Sequence, residues 1–157
     1  MPKKPSDYSK TVMYKIICND PNITGCYVGH TTCFRKRKTY HKNDCINVNN
    51  KNYNYPLYKF IRENGGWENF TMLEIEKYPC NDGNEARLRE RYHYETLNAN
   101  LNGVHPARTK KESDKIYQDK NIDRLNEYRK EYREKNKEKI AEYMKNYRIN
   151  RKKKDSD

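Results

Sequence analysis

The sequence predicts an α+β domain, a small three-stranded antiparallel sheet flanked by helices, followed by an extended charged helical tail. Three observations lead there. Short apolar runs with strand character occur at three places. Segments with helix start and stop signals lie between and after them. The composition then changes near Pro106, beyond which nearly every residue is Lys, Arg, Glu, Asp, Asn or Tyr. This divides the chain into a domain over residues 9–106 and a tail over 107–157.

The first run, Thr11-Val-Met-Tyr-Lys-Ile-Ile-Cys18, is short and rich in β-branched residues, which suits a strand. Asn19-Asp-Pro-Asn22 signals a turn, and Gly25-Cys-Tyr-Val-Gly29 returns as the second strand of a hairpin. The stretch from Thr32 to Asp44 suits a basic helix, and the Asn-rich residues 47–55 suit a loop. Pro56 to Asn64 reads as a helix, with proline at its start and Gly65-Gly66 beyond its end. Phe70 to Tyr78 alternates as a third strand, and Trp67 and Phe70 are simplest as core. Asn84 to Leu97 is a last helix, with Glu85 in its first turn where the helix dipole favours an acid. The predicted order is β-β-α-α-β-α.

The tail is repetitive. Tyr117, Tyr132 and Tyr147 are 15 apart, as are Tyr128 and Tyr143, Asn121 and Asn136, and Leu125 and Ile140. Leu125, Tyr128 and Tyr132 share one helix face, and Ile140, Tyr143 and Tyr147 the next, which predicts a long polar helix with too few aliphatics for a coiled-coil seam. Lys and Arg number 34 against 22 Asp and Glu, a net charge of +12. From Thr109 onward there are 17 basic and 11 acidic residues, so domain and tail share the basicity equally. The end of the tail, Arg151-Lys-Lys-Lys154, concentrates it. Such a surplus favours a polyanion, and tyrosines among lysines and arginines suit nucleic-acid contact as well as they suit a solvated helix.

Cys18, Cys26, Cys33, Cys45 and Cys80 are odd in number, contain no Cys-x-x-Cys pair and follow a polar start, Met1 to Lys10. They read as reduced thiols of an intracellular protein, in the cytoplasm or nucleus of its host cell and not secreted. A zinc set of His30, Cys33, His41 and Cys45 has irregular spacing and falls across predicted elements, which counts against it. No apolar run approaches the 18 or so residues that span a bilayer, so no membrane partner is expected.

One constellation of polar residues stands out. Tyr14 lies on the first strand and Tyr27-Val28-Gly29 on the second, 13 positions on. Arg37 follows ten later, and His41 one helical turn beyond it. Glu90 lies on the last helix, with Asn102 twelve further. The order and spacing of Tyr14, Tyr27-Val28-Gly29, Arg37, Glu90 and Asn102 resemble the GIY-YIG nuclease family over residues 11–106. Gly29 to Arg37 resembles the segment from the family's second motif to its arginine. Glu90-Arg-Tyr-His-Tyr94 resembles the helix bearing its metal-binding glutamate, and Leu97 to Asn102 the segment ending at its asparagine. Val12 and Val28 stand where the motifs have glycine and isoleucine, and His30 where several members carry lysine. The tail lies outside the resemblance, although charged repeated tails look like those of family members in large DNA viruses.

The resemblance implies a DNA endonuclease, and each residue type suits the chemistry. Glu90 would hold Mg²⁺ (or Mn²⁺), the remainder of the shell being water and phosphate; its bland alternative is an ion pair with Arg87 or Arg91. Arg37 would grip the scissile phosphate with its planar fork. Tyr14 or Tyr27 would orient or deprotonate the attacking water, a task for which a phenol needs cations nearby. His41, on the face of Arg37, would relay a proton, bind phosphate or satisfy a backbone carbonyl. His30, Arg35, Lys36 and Lys38 would contact substrate. Asn102 would orient substrate or water, or fix the chain after the helix. His93 and His105 show no partner pattern. DNA is the expected partner and RNA the second, with a monomer or a transient dimer on DNA and a homing or virus-borne role. Two other classes compete: an inactive nucleic-acid-binding protein of the same fold, and a scaffolding protein that uses the basic tail.

Overall fold

The structure, a computed structural model, describes residues 6–154, with the side chains of 150 and 152–154 also outside the described set. The polar start at residues 1–5 and the lysine side chains of the final basic patch therefore lie outside the described residues. The chain divides between Arg108 and Thr109 into two units.

The first unit has the order read from the sequence: β1 (Val12–Cys18), β2 (Cys26–Thr31), α1 (Phe34–Ile46), α2 (Pro56–Glu63), β3 (Phe70–Lys77) and α3 (Gly83–Thr96). The three strands form one antiparallel sheet in the order β2-β1-β3. Alternation along β1 sends Tyr14, Ile16 and Cys18 to one face, where they meet Leu57, Tyr58 and Ile61 of α2, Cys45 of α1, and Trp67, Phe70 and Met72. Hydrophobic burial of this group closes the core. Tyr14 pairs with Gly29 and Ile16 with Tyr27, so both residues of β2 share that face. Met13 pairs with His30, which puts His30 on the opposite face, the side on which α3 packs along β2.

Helix α2 begins with proline in its first turn and stops at Gly65 and Gly66, both at positive φ (93° and 80°) that side chains disfavour. Helix α3 starts at Asp82, whose carboxylate accepts from the amides of Asn84 and Glu85. On α1 the buried residues are His41, Asp44 and Cys45, an i, i+3, i+4 set that is mostly polar. Strand β2 runs two residues beyond the predicted Gly29 and so includes His30. A register shift between Met13 and Tyr14 leaves Ile75 of β3 unpaired.

The tail differs from the single long helix expected. It is α4 (Lys110–Lys120), α5 (Ile122–Lys135) and α6 (Lys137–Lys154), interrupted at Asn121 and Asn136. The physical cause is local. Each asparagine leaves helical geometry (φ −120° and −116°), and its side-chain amide donates at 2.8 Å to the carbonyl of the tyrosine four before it, Tyr117 or Tyr132. The 15-residue repeat is therefore the period of the interruptions as well as of the tyrosines. Among the described residues, no helix is long and apolar enough to cross a membrane.

Candidate active site

The site is built around β2, an edge strand of the sheet. Its outer side would expose unpaired backbone groups, and residues 100–102 cover it. The Asn100 side-chain oxygen accepts from Cys26 N at 3.0 Å. Asn102 completes the cover from both ends of its amide, accepting from Val28 N at 3.0 Å and donating to Val28 O at 2.7 Å. Of the two roles weighed for Asn102, fixing the chain after the helix is the one its hydrogen bonds serve.

On the core face, Tyr14 is fully buried. Its hydroxyl accepts from Arg37 Nε at 3.0 Å and lies 2.8 Å from His41 Nε2. The other ring nitrogen of His41 lies 2.9 Å from the Tyr58 hydroxyl, which donates to Asp44 Oδ2 at 3.1 Å. The imidazole is also stacked over Trp67. Glycine at position 29 makes this arrangement fit: a Cβ there would stand 2.5 Å from the Tyr14 hydroxyl oxygen.

Burial sets the protonation states. It pushes the Tyr14 phenol well above its ordinary value and raises Tyr27, against the pull of Arg37. It also works against the charge of Arg37, but the adjoining Tyr14 and Tyr27 phenols outweigh it and hold the guanidinium protonated. His41, with burial and the Arg37 charge acting together, is pushed down to about 3 and is neutral at pH 7.

Across the edge strand, the Nδ1 of His30 donates to the carboxylate of Glu90 on α3. Neighbouring positions on α3 hold the helix in place: Arg89 donates twice to Glu76 of β3, at 2.7 and 2.9 Å, and His93 lies 2.7 Å from the same carboxylate. His93, which showed no partner pattern in the sequence, thus has one. Of the two arginines weighed as partners of Glu90, Arg87 donates to Asn84 and Arg91 to Glu95.

Both faces open on one cavity of about 600 Å³. Tyr27, His30, Arg37, Glu90 and Asn102 line it, joined by Arg87, which the sequence offered only as an ion-pair partner of Glu90, and by Arg108, which it did not single out. The Nε of Arg108 is buried with no hydrogen-bond partner among the described residues. Asp44 and Tyr58 border the same cavity. Tyr14 and His41 stand behind this wall, 0% and 1% exposed, and are not among the residues that line the cavity. The basic cluster on α1 divides between surfaces. Lys36 borders a separate groove of about 340 Å³ with His30 and Arg37, whereas Arg35 and Lys38 are exposed and line neither space. The helical period explains this: positions 37 and 41 face inward, while 35 and 38 fall on outer faces.

The five cysteines are free. The zinc set fails on His41, whose two nitrogens are both engaged by tyrosines. Among the described residues no group of three or more His, Cys, Asp or Glu could enclose a metal. Glu90 shares the open cavity with Asp44, whose carboxylate is taken by Asn50, Asn52 and Tyr58, so the donor set suits a hard cation sharing its shell with water and phosphate rather than a protein cage. Comparison with protein families, curated proteins and solved structures finds no match for the chain.

Sequence alone does not reveal Asp44 and Tyr58, because nothing in their spacing announces that they meet His41. The helical spacing of His41, Asp44 and Cys45 was the available signal, a polar stripe where an apolar one belongs.

Proposed function

We propose that the chain is a metal-dependent endonuclease of the GIY-YIG type that hydrolyses phosphodiester bonds in DNA. The observation that carries this reading is the meeting of Tyr27 and His30 of β2, Arg37 of α1 and Glu90 of α3 on one basic cavity. Arg37 spends its Nε on Tyr14 and lines the cavity, so its remaining N–H groups suit a phosphate oxygen pair. Tyr27 is the one tyrosine of the pair at the wall and orients the attacking water there. Glu90 would hold Mg²⁺ or Mn²⁺, whose charge supplies stabilisation of the transition state and of the leaving oxygen. Arg87 and Arg108 add cationic contacts for the flanking phosphates.

A second reading has its own observation. Glu90 is bonded to His30, and a binding protein without metal chemistry would keep that pair closed in an arginine-lined cleft. Incubating supercoiled plasmid with the protein, with Mg²⁺ or with chelator, separates the two. Nicking or linearisation that needs metal and disappears in Glu90→Gln and Arg37→Ala supports the nuclease. Retained DNA binding with no cleavage, across several divalent ions and DNA sequences, selects the binding protein. The same assay on RNA decides between the two polymers.

A further inference from the structure

The direction of each hydrogen bond in the buried chain behind the cavity can be worked out from its end. Asp44 as a carboxylate only accepts, and it takes bonds from Asn50 Nδ2 (2.7 Å), Asn52 Nδ2 (3.2 Å) and the Tyr58 hydroxyl (3.1 Å). A phenol has one proton, so Tyr58, having given it to Asp44, can only accept at its 2.9 Å contact with His41 Nδ1. Nδ1 of His41 must then carry the ring proton. A neutral imidazole has one N–H, so Nε2 is the acceptor of its 2.8 Å contact with Tyr14. Tyr14 in turn has spent its only proton, and its oxygen accepts from Arg37 Nε at 3.0 Å.

We propose that Asp44 and Tyr58 are positioning residues, which fix His41 as the Nδ1–H tautomer so that Tyr14 presents its oxygen to the site solely as an acceptor. Tyr27 acts next in line. Towards the Tyr14 oxygen, whose one proton is spent on His41, the Tyr27 hydroxyl can only donate, which leaves its lone pairs for Arg37 and for the cavity. A water bound there donates to Tyr27 and turns its own lone pair towards the phosphate held by Arg37. This catalytic consequence rests on the nuclease reading; the tautomer does not. No net proton transfer through His41 is involved, which agrees with a ring that stays neutral.

The test is the tautomer of His41 in the full-length protein, labelled with ¹⁵N-histidine and read by long-range ¹H–¹⁵N correlation at pH 7. The His41 signal is the one missing from His41→Gln. The expected result is a neutral ring with the proton on Nδ1. In Tyr58→Phe and Asp44→Asn, the proton moves to Nε2 or divides between the nitrogens. In plasmid cleavage both variants then lose kcat, roughly 10- to 100-fold as for other orienting partners, with KM unchanged. A wild-type ring protonated on Nε2, or on both nitrogens, overturns the proposal without reference to any variant. So does a Tyr58→Phe protein that keeps the Nδ1–H tautomer and full kcat. If the wild type cleaves nothing, the nuclease reading falls, while the wild-type spectrum still decides the tautomer.

Discussion

The two units of the chain use the same residue types in opposite ways. Before Thr109, tyrosine, histidine and asparagine are joined across long sequence separations: Tyr14 to His41, His30 to Glu90, Val28 to Asn102. After it, their hydrogen bonds stay local, as in Asn121 to Tyr117 and Asn136 to Tyr132, and Tyr128, Tyr132, Tyr143 and Tyr147 are at least half exposed. The net charge is the same in both. The difference teaches that equal basicity can accompany side chains fixed by a buried network and side chains left to solvent. A buried polar network is costly unless every member is satisfied; the first unit holds one, and the described residues of α4 and α5 include none that is buried.

The largest effect expected follows from that division. Glu90→Gln and Arg37→Ala each lower kcat/KM for plasmid cleavage by about 100-fold or more, the scale for removing a group that stabilises transition-state charge. Deleting residues 110–157 leaves kcat within a few-fold and raises KM instead. It also lowers the steepness with which binding falls as salt rises, because fewer counterions are released. A tail deletion that removes cleavage altogether, with DNA binding intact, breaks the comparison.

Next in size is Gly29→Ala. The added methyl would stand 2.5 Å from the Tyr14 oxygen, on backbone that cannot yield freely in mid-strand. Overpacking of this kind costs about 1–3 kcal/mol. The urea midpoint falls accordingly, and cleavage falls with it because Tyr14 is displaced from Arg37 and His41. An unchanged midpoint shows that the ring has room to move, and the geometry behind the cavity loses its claim to be fixed.

Burial of His41 gives stability a pH dependence. The folded ring is unprotonated until about pH 3, whereas the unfolded one takes up a proton near pH 6.5. Between those values the unfolded chain binds the extra proton, so stability falls as pH falls, by up to about 1.4 kcal/mol per unit for this one group. Denaturant midpoints of wild type and His41→Gln, compared between pH 7 and pH 5, show a steeper loss in the wild type. Parallel curves would mean that the ring protonates in the folded state, contrary to its buried, neutral place.

Much of this was legible in advance, and the limits have physical reasons. The six elements of the first unit follow from periodicity, from proline at the start of α2 and from the glycines after it. That Tyr27, Arg37 and Glu90 share a cavity agrees with the family resemblance of their order and spacing. The separation of Tyr14 and His41 from the cavity was not legible, since a strand pattern shows that a tyrosine faces inward but not what stands between it and solvent. The partnership of His30 with Glu90 was equally hidden, because it crosses 60 positions and depends on β2 extending past Gly29. Asn102 was ambiguous for a similar reason: an asparagine that closes a sheet edge and one that binds substrate look alike until the edge is known.

The smallest effect belongs to the tail and concerns its interruptions. Asn121 and Asn136 each end one helix and begin the next, between segments of 11 and 14 residues and then 14 and 18. Helices of 11 to 14 residues are marginal alone, since the cost of nucleation is spread over few bonds. Replacing both asparagines by alanine removes the side-chain amides that cap Tyr117 and Tyr132 and supplies the best helix former, a gain of roughly 0.5 kcal/mol at each position. Far-UV circular dichroism then shows more helix, with the melting of the first unit unchanged. If helicity falls instead, the side-chain caps at the two asparagines outweigh alanine's helix propensity, and the 15-residue period is a device for ending helices rather than a defect within one.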